Sequence, residues 1–165
     1  MKATCTEAIR YWVEAVCQTP LRTGEIGRAP EQVMRNWQGR AVIQGSSLAG
    51  ALRNWLASTG NTKLAGRLFG ATESAGTLMV SDGLFAADAE QTIRPGLRIN
   101  RACGSADLRG RVDVAHICTG ARFEFTLTWL GSEETEEEAD GVERMLTALH
   151  AGEIRLGAKK SNGFG

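Results

Sequence analysis

Ile43-Gln44-Gly45-Ser46-Ser47-Leu48-Ala49-Gly50-Ala51-Leu52-Arg53 joins a short apolar run to a helix, and the reading of the fold turns on that junction. Ala41 and Val42 extend the apolar run on its N-terminal side. Beyond the junction, Leu48, Leu52, Trp55 and Leu56 recur at helical spacing and give one apolar stripe. Ser46 or Ser47 is the expected N-cap, and the helix is expected to fade between Ser58 and Gly60. Backbone N–H groups at such a start, with the positive end of the helix dipole, form an anion site. Gly45 and the hydroxyls of Ser46 and Ser47 stand there. The small residues Ala49, Gly50 and Ala51 permit close approach, and Arg53, about two turns in, can reach a phosphate. Taken alone, the same residues also fit a plain helix cap.

Upstream, Ile9, Tyr11, Val13, Ala15 and Cys17 alternate with Arg10, Trp12, Glu14 and Val16, which predicts a strand with one face in the core. Pro20 ends it. Leu21 to Arg40 has little periodicity and three glycines, and long connections of this kind are functional or disordered. Downstream, a short helical piece around Leu64 to Phe69 stops at Gly70, and Leu78 to Phe85 reads as a strand broken at Asp82-Gly83. Ala86 to Thr119 is rich in glycine and arginine, with short strand-like pieces at Leu97 to Ile99 and Val112 to Ile117. Arg122 to Leu130 is the clearest strand, with Phe123, Phe125, Leu127 and Trp129 on one face. A helix carrying Val142, Met145, Leu146 and Leu149 follows, Gly152 closes it, and Glu153 to Leu156 reads as a last short strand. The order predicts an α+β chain: one ferredoxin-like (RRM-like) βαββαβ domain over residues 1–165, with a long central insertion at about 86–119.

The bulk composition narrows the classes. At 165 residues, 42% hydrophobic and 23% charged, the chain suits one soluble domain. No run approaches the ~18 apolar residues of a membrane span, and Met1-Lys2-Ala3-Thr4 does not begin a signal peptide, so a cytoplasmic location is expected. Cys5, Cys17, Cys103 and Cys118 include no CxxC pair and are expected to be free thiols; with only His116 and His150, no zinc-site spacing exists. Nineteen basic residues balance nineteen acidic ones, but six acids fall in one run, Glu133, Glu134, Glu136, Glu137, Glu138 and Asp140. That run is expected to be a solvated helix entry, its glutamates suiting the helix dipole. The remainder of the chain carries a net +6, so one surface can be basic while the molecule is neutral.

A second segment, Leu156-Gly157-Ala158-Lys159-Lys160-Ser161-Asn162-Gly163-Phe164-Gly165, combines glycines, lysines and polar side chains in a loop after the last strand. Such a loop can bring backbone amides to phosphate oxygens while lysines neutralise charge. A flexible tail is the plainer reading.

Together these segments resemble the RAMP superfamily, the repeat-associated proteins of CRISPR systems. Ile43 to Arg53 is similar to that family's I-P-G-S-S-L-K-G-x-L-R signature, and Leu156 to Gly165 to its glycine-rich loop with a terminal G-F-G. Val80-Ser81-Asp82-Gly83 resembles V-S-D-A, Leu97 to Gly104 resembles V-x-I-D-R-x-T-G, and Gly120 to Phe125 resembles G-x-x-F-x-F. Leu21-Arg22-Thr23-Gly24 stands where the family writes L-H-I-G. The sequence departs from the pattern at Gln44, Ala49, Arg22 and Asn100. The nearest subgroup is the backbone subunit of type III effectors, which implies a crRNA-binding role in antiviral defence. Copies of the subunit would line up along the guide, and a thumb hairpin from the insertion would kink the guide–target duplex. Implied partners are crRNA, target RNA, other effector subunits and copies of itself, with no membrane. Implied RNA contacts are Arg22, Gly45, Ser46, Ser47, Arg53, Gly157, Lys159, Lys160, Ser161 and Gly163. Arg98 and Arg101 join them from the arginine-rich insertion, where Arg94, Arg109 and Arg111 also lie.

Family members that cut target RNA carry an aspartate some dozen or more residues before the signature. No aspartate occurs between Met1 and Ala41; Glu31 falls nearest, with Glu25 the other acid in that loop. Cutting would be metal-assisted attack of a ribose 2′-hydroxyl on its own phosphodiester, one carboxylate holding Mg2+ or Mn2+ or taking the proton. Glutamate sets its oxygens a methylene further out, and in-line attack tolerates little misplacement. A non-catalytic scaffold that needs no cofactor is therefore the first expectation and an endoribonuclease using Glu31 the second. A third, outside the family, is a small ferredoxin-like domain binding a phosphorylated ligand at Ser46 and Ser47. Family members generally continue past the glycine-rich loop, so the chain is expected to be shortened or part of a fusion.

Overall fold

The computed structural model describes residues 7–24, 32–111, 113–131, 136–158, 160 and 163–165. Its elements are β1 (Glu7–Val16), β2 (Val42–Ile43), α1 (Gly45–Ser58), α2 (Thr62–Phe69), β3 (Leu78–Val80), β4 (Gly83–Phe85), β5 (Gln91–Arg94), β6 (Leu97–Ile99), β7 (Ala106–Arg111), β8 (Val114–Ile117), β9 (Arg122–Gly131) and α3 (Glu136–His150). Mixed helices and antiparallel sheets make up the fold. The main sheet has the hydrogen-bonded order β1-β9-β4-β2, with β3 also pairing β9, and β5–β8 and β6–β7 are separate two-stranded pairs.

Two compact units divide the chain, each assembled from three separated stretches. Unit 1 takes residues 1–15, 44–83 and 124–156. Here β3 runs antiparallel to β9, Leu78 opposite Trp129 and Val80 opposite Leu127. The three helices pack on one another, and α1 and α2 on β3. The stripe expected of α1 is real at Leu48, Leu52 and Leu56, all buried, and Leu64, Leu68, Val142 and Met145 complete the apolar centre. Gly141 admits this packing: a Cβ there would stand 2.9 Å from Leu64 Cδ2.

Unit 2 takes residues 16–43, 84–123 and 157–165. Its core holds Leu21, Ile43, Phe85, Ile117 and Phe123, the two phenylalanine rings lying 5.0 Å apart at 39°. Residues 91–117 include two nested antiparallel pairs. Gln91 to Arg94 face Ile117 to Val114, and Leu97 and Ile99 face Arg111 and Ala106 with a bulge between them. Asn100 closes the inner pair: its N–H donates to the Ser105 carbonyl and its side-chain oxygen accepts from Ala102 N–H at 2.9 Å.

Three expectations need correction. The N-cap of α1 is Gln44, without a side-chain cap, and both Ser46 and Ser47 lie inside the first turn. Asp82 takes the capping role across space, its Oδ1 accepting from Gly45 N–H at 2.7 Å. The expected closing strand is irregular. Residues 153–156 bury Ile154 and Leu156 but make no ladder, the chain turning at left-handed Gly152 and Gly157 on either side of them. Finally, Glu138 is not solvated; it is 3% exposed. Thr77 Oγ1 donates to its Oε2 at 2.8 Å and Trp129 Nε1 at 3.2 Å, while Arg67 Nε stands 3.4 Å from Oε1.

Candidate nucleic-acid interface

The C-terminal segment is stitched into unit 2. Leu21 and Ile117 exchange backbone hydrogen bonds at 2.9 and 2.8 Å, which fixes the following Arg22 against β8. Arg22 is buried and its guanidinium donates to the Ala115 carbonyl at 3.2 Å. Its own carbonyl accepts from Ala158 N–H at 3.1 Å. Gly157 makes this approach possible: its φ is +78°, and a Cβ would lie 2.5 Å from the Arg22 carbonyl oxygen. Gly165 N–H donates to the Pro20 carbonyl at 3.0 Å. Between these two anchors Phe164 is buried, with the His116 ring edge-on at 5.3 Å and the Arg94 guanidinium 4.7 Å over its face. The described part of the glycine-rich segment is therefore held at both ends, and Lys160 and Gly163, joined by a turn bond of 3.3 Å, lie between them.

Unit 2 contains Arg22, Gly157, Lys160, Gly163 and exposed Arg101, the last in the turn between β6 and β7. Arg98 lies on β6, and its side chain is outside the described residues, as are Lys159, Ser161, Glu25 and Glu31 altogether. Gly45, Ser46, Ser47 and Arg53 belong to unit 1, with the two serines and Arg53 exposed on α1. At that helix start the glycine is obligatory, since a Cβ on Gly45 would stand 2.5 Å from the Val80 carbonyl oxygen. The Asp82 carboxylate places negative charge where an anion was expected. Among the described residues no group of histidine, cysteine and acidic side chains gathers as metal ligands would, and no helix is long and apolar enough to cross a membrane.

Sequence reasoning missed how charge divides between the units. Unit 2 has 12 basic and 6 acidic residues, a formal +6; unit 1 has 7 and 13, a formal −6. Because each unit is drawn from three stretches, no window of sequence shows it. A unit of formal +6 can attract a polyanion without reading its bases.

A family model described as the RAMP superfamily matches residues 14–165. Among solved structures, a chain of type III-B Cmr-beta seen by cryo-electron microscopy bound to cognate target RNA is similar, with TM-score 0.74 at 15% identity. The likeness covers 95% of this chain and 57% of that one, so the chain spans little more than half of its neighbour's length. A chain of the apo state of type III-B Cmr-beta has TM-score 0.67 at 11% identity, covering 96% of this chain and 94% of the other. At such identities the likeness is one of fold. No curated protein matches the sequence.

Proposed function

Because the chain belongs to the RAMP superfamily, we propose that it is a crRNA-binding backbone subunit of a type III CRISPR effector, gripping the guide by its phosphates in the cytoplasm. The observation that carries this is the basic unit 2 with its glycine-rich segment pinned to the Pro20–Arg22 segment. Basic side chains presented on a fixed scaffold contact phosphate oxygens, which every guide shares, so the grip is indifferent to sequence. In this reading the fold is ferredoxin-like, with α1 and α3 backing the sheet. The nested β5–β8 and β6–β7 pairs are the arm that reaches the guide–target duplex. Partners are target RNA, other effector subunits and further copies of this chain. One of the similar chains was seen with cognate target RNA, which supports the same class of ligand here.

Filter binding of the purified chain to two guides of unrelated sequence tests the grip. Both are expected to bind within about twofold of each other and to weaken together as salt rises. A strong preference for one guide, or binding indifferent to salt, would overturn it. The same complex, given complementary RNA with Mg2+ or Mn2+, is expected to leave the RNA intact. Regularly spaced products that disappear in Glu31→Ala would make the subunit an endoribonuclease instead.

A further inference from the structure

Trp37 is 91% exposed, against 73% for Trp12, and unlike Trp12, which lies on β1, it sits on a turn fixed by side chains as well as backbone. Asn36 N–H donates to the Arg40 carbonyl and Gly39 N–H to the Asn36 carbonyl, both at 2.9 Å. The Asn36 side-chain oxygen accepts from Gln38 N–H at 3.0 Å and Arg40 N–H at 2.9 Å. Gly39 takes φ +78°, which lets the chain reverse. Arg35 donates to the Gly39 carbonyl at 2.5 Å and to Gln91 Oε1 at 2.8 Å. Arg40 donates twice to the Phe85 carbonyl, at 3.1 and 2.6 Å. The turn is thus tied down by backbone and side chains, and at its tip it offers an indole to solvent.

Leaving a tryptophan face in water forgoes the burial that its large apolar area would bring, and a rigid turn around it lowers the entropic cost of binding something there. We infer that Trp37 is a stacking platform for a nucleobase of the bound RNA. The inference rests on the RNA-binding reading above and adds a base contact to a grip otherwise made through phosphates. Charge selects this occupant. Residues 32–41 hold two arginines and no carboxylate, and both guanidiniums are oriented by carbonyl and amide oxygens, so among the described residues their charge is not neutralised. The turn also belongs to the unit of net +6. Aromatic faces among cationic side chains are how single-stranded nucleic acid is held without preference for sequence.

The test uses the full chain, a short single-stranded oligoribonucleotide and the same strand with abasic ribose in place of every base. Wild type is expected to favour the intact strand. In W37A and W37L that preference shrinks by roughly 5- to 150-fold, the range one base–aromatic stack gives, while binding of the abasic strand is unchanged. W37F restores most of it, and because the side chain is exposed, all three variants keep the wild-type melting temperature. An unchanged preference in W37A and W37L overturns the inference and leaves the RNA-binding reading intact. Unchanged RNA binding with loss of self-association in sedimentation also overturns it, assigning the indole to a protein contact. If wild type binds neither strand, the RNA-binding reading fails first and takes this inference with it.

Discussion

Burying the Glu138 carboxylate would cost several kcal/mol if its oxygens were unpaired. Thr77 and Trp129 supply donors to one oxygen and Arg67 faces the other, so the charge is offset where it lies. Glu138→Ala leaves the Trp129 N–H and the Thr77 hydroxyl without that acceptor, and urea denaturation should show a loss of roughly 2–4 kcal/mol. Glu137 one residue earlier pairs with Arg67 on an exposed surface, and Glu137→Ala should cost under about 1 kcal/mol. Cysteines give a second test at this scale. Burial pushes the Cys17 thiol up to about 11, whereas a hydrogen bond with Ser105 lowers that of exposed Cys103. Mass-spectrometric alkylation should therefore modify Cys103 well before Cys17, and Ser105→Ala should slow the reaction at Cys103. In the unfolded chain Cys17 titrates near its ordinary 9.0, so between pH 9.0 and about 11 the folded state keeps a proton that the unfolded state has lost. Stability then falls as pH rises through that window, and Cys17→Ala should remove that part of the slope.

Two elements hold their shape through glycine, in unequal degree. Gly157 and Gly163 share a left-handed backbone, but a Cβ at Gly157 meets the Arg22 carbonyl and one at Gly163 meets nothing within 4 Å. Gly163→Ala should cost roughly 1 kcal/mol from conformation alone, and Gly157→Ala distinctly more, with the Ala158–Arg22 hydrogen bond lost. At the start of α1, Asp82→Ala should cost roughly 0.5–2 kcal/mol, as loss of a cap does, in a thermal melt. The expected strands β1 and β9 and the apolar stripe of α1 were legible because periods of two and 3.6 are local properties of a sequence. The cap was not, since Asp82 lies 37 residues from Gly45. Glu138 reads as one more solvated acid until the fold brings Thr77 and Trp129 to it. Part of the rigidity of the Trp37 turn was hidden likewise: beside its local hydrogen bonds, it is restrained by Gln91 and Phe85, far along the chain. Of the candidate contacts, Arg22 and the glycine-rich segment were legible as motifs, but that they hydrogen-bond each other was not.

Across the molecule, a formal +6 and −6 on two units of one neutral chain predict a specific pattern of salt dependence. If unit 2 carries the RNA, removing a phosphate-contacting base such as Arg101 by Arg101→Gln should reduce the slope of log K against log salt by about 0.7. Arg144→Gln on α3 of unit 1 should leave that slope unchanged, and fluorescence anisotropy over a salt series reads both. Equal effects of the two substitutions would show that the asymmetry plays no part in binding.

The interleaving of the units also bears on how the protein acquires its shape. Unit 2 is not closed until 157–165 meets the Pro20–Arg22 segment, more than a hundred residues upstream. During synthesis, the early stretches must wait for the last one to leave the ribosome, with their apolar faces uncovered meanwhile. Contacts of such long sequence separation form slowly, and fragments cut at any single point should fail to fold unless both pieces are supplied together.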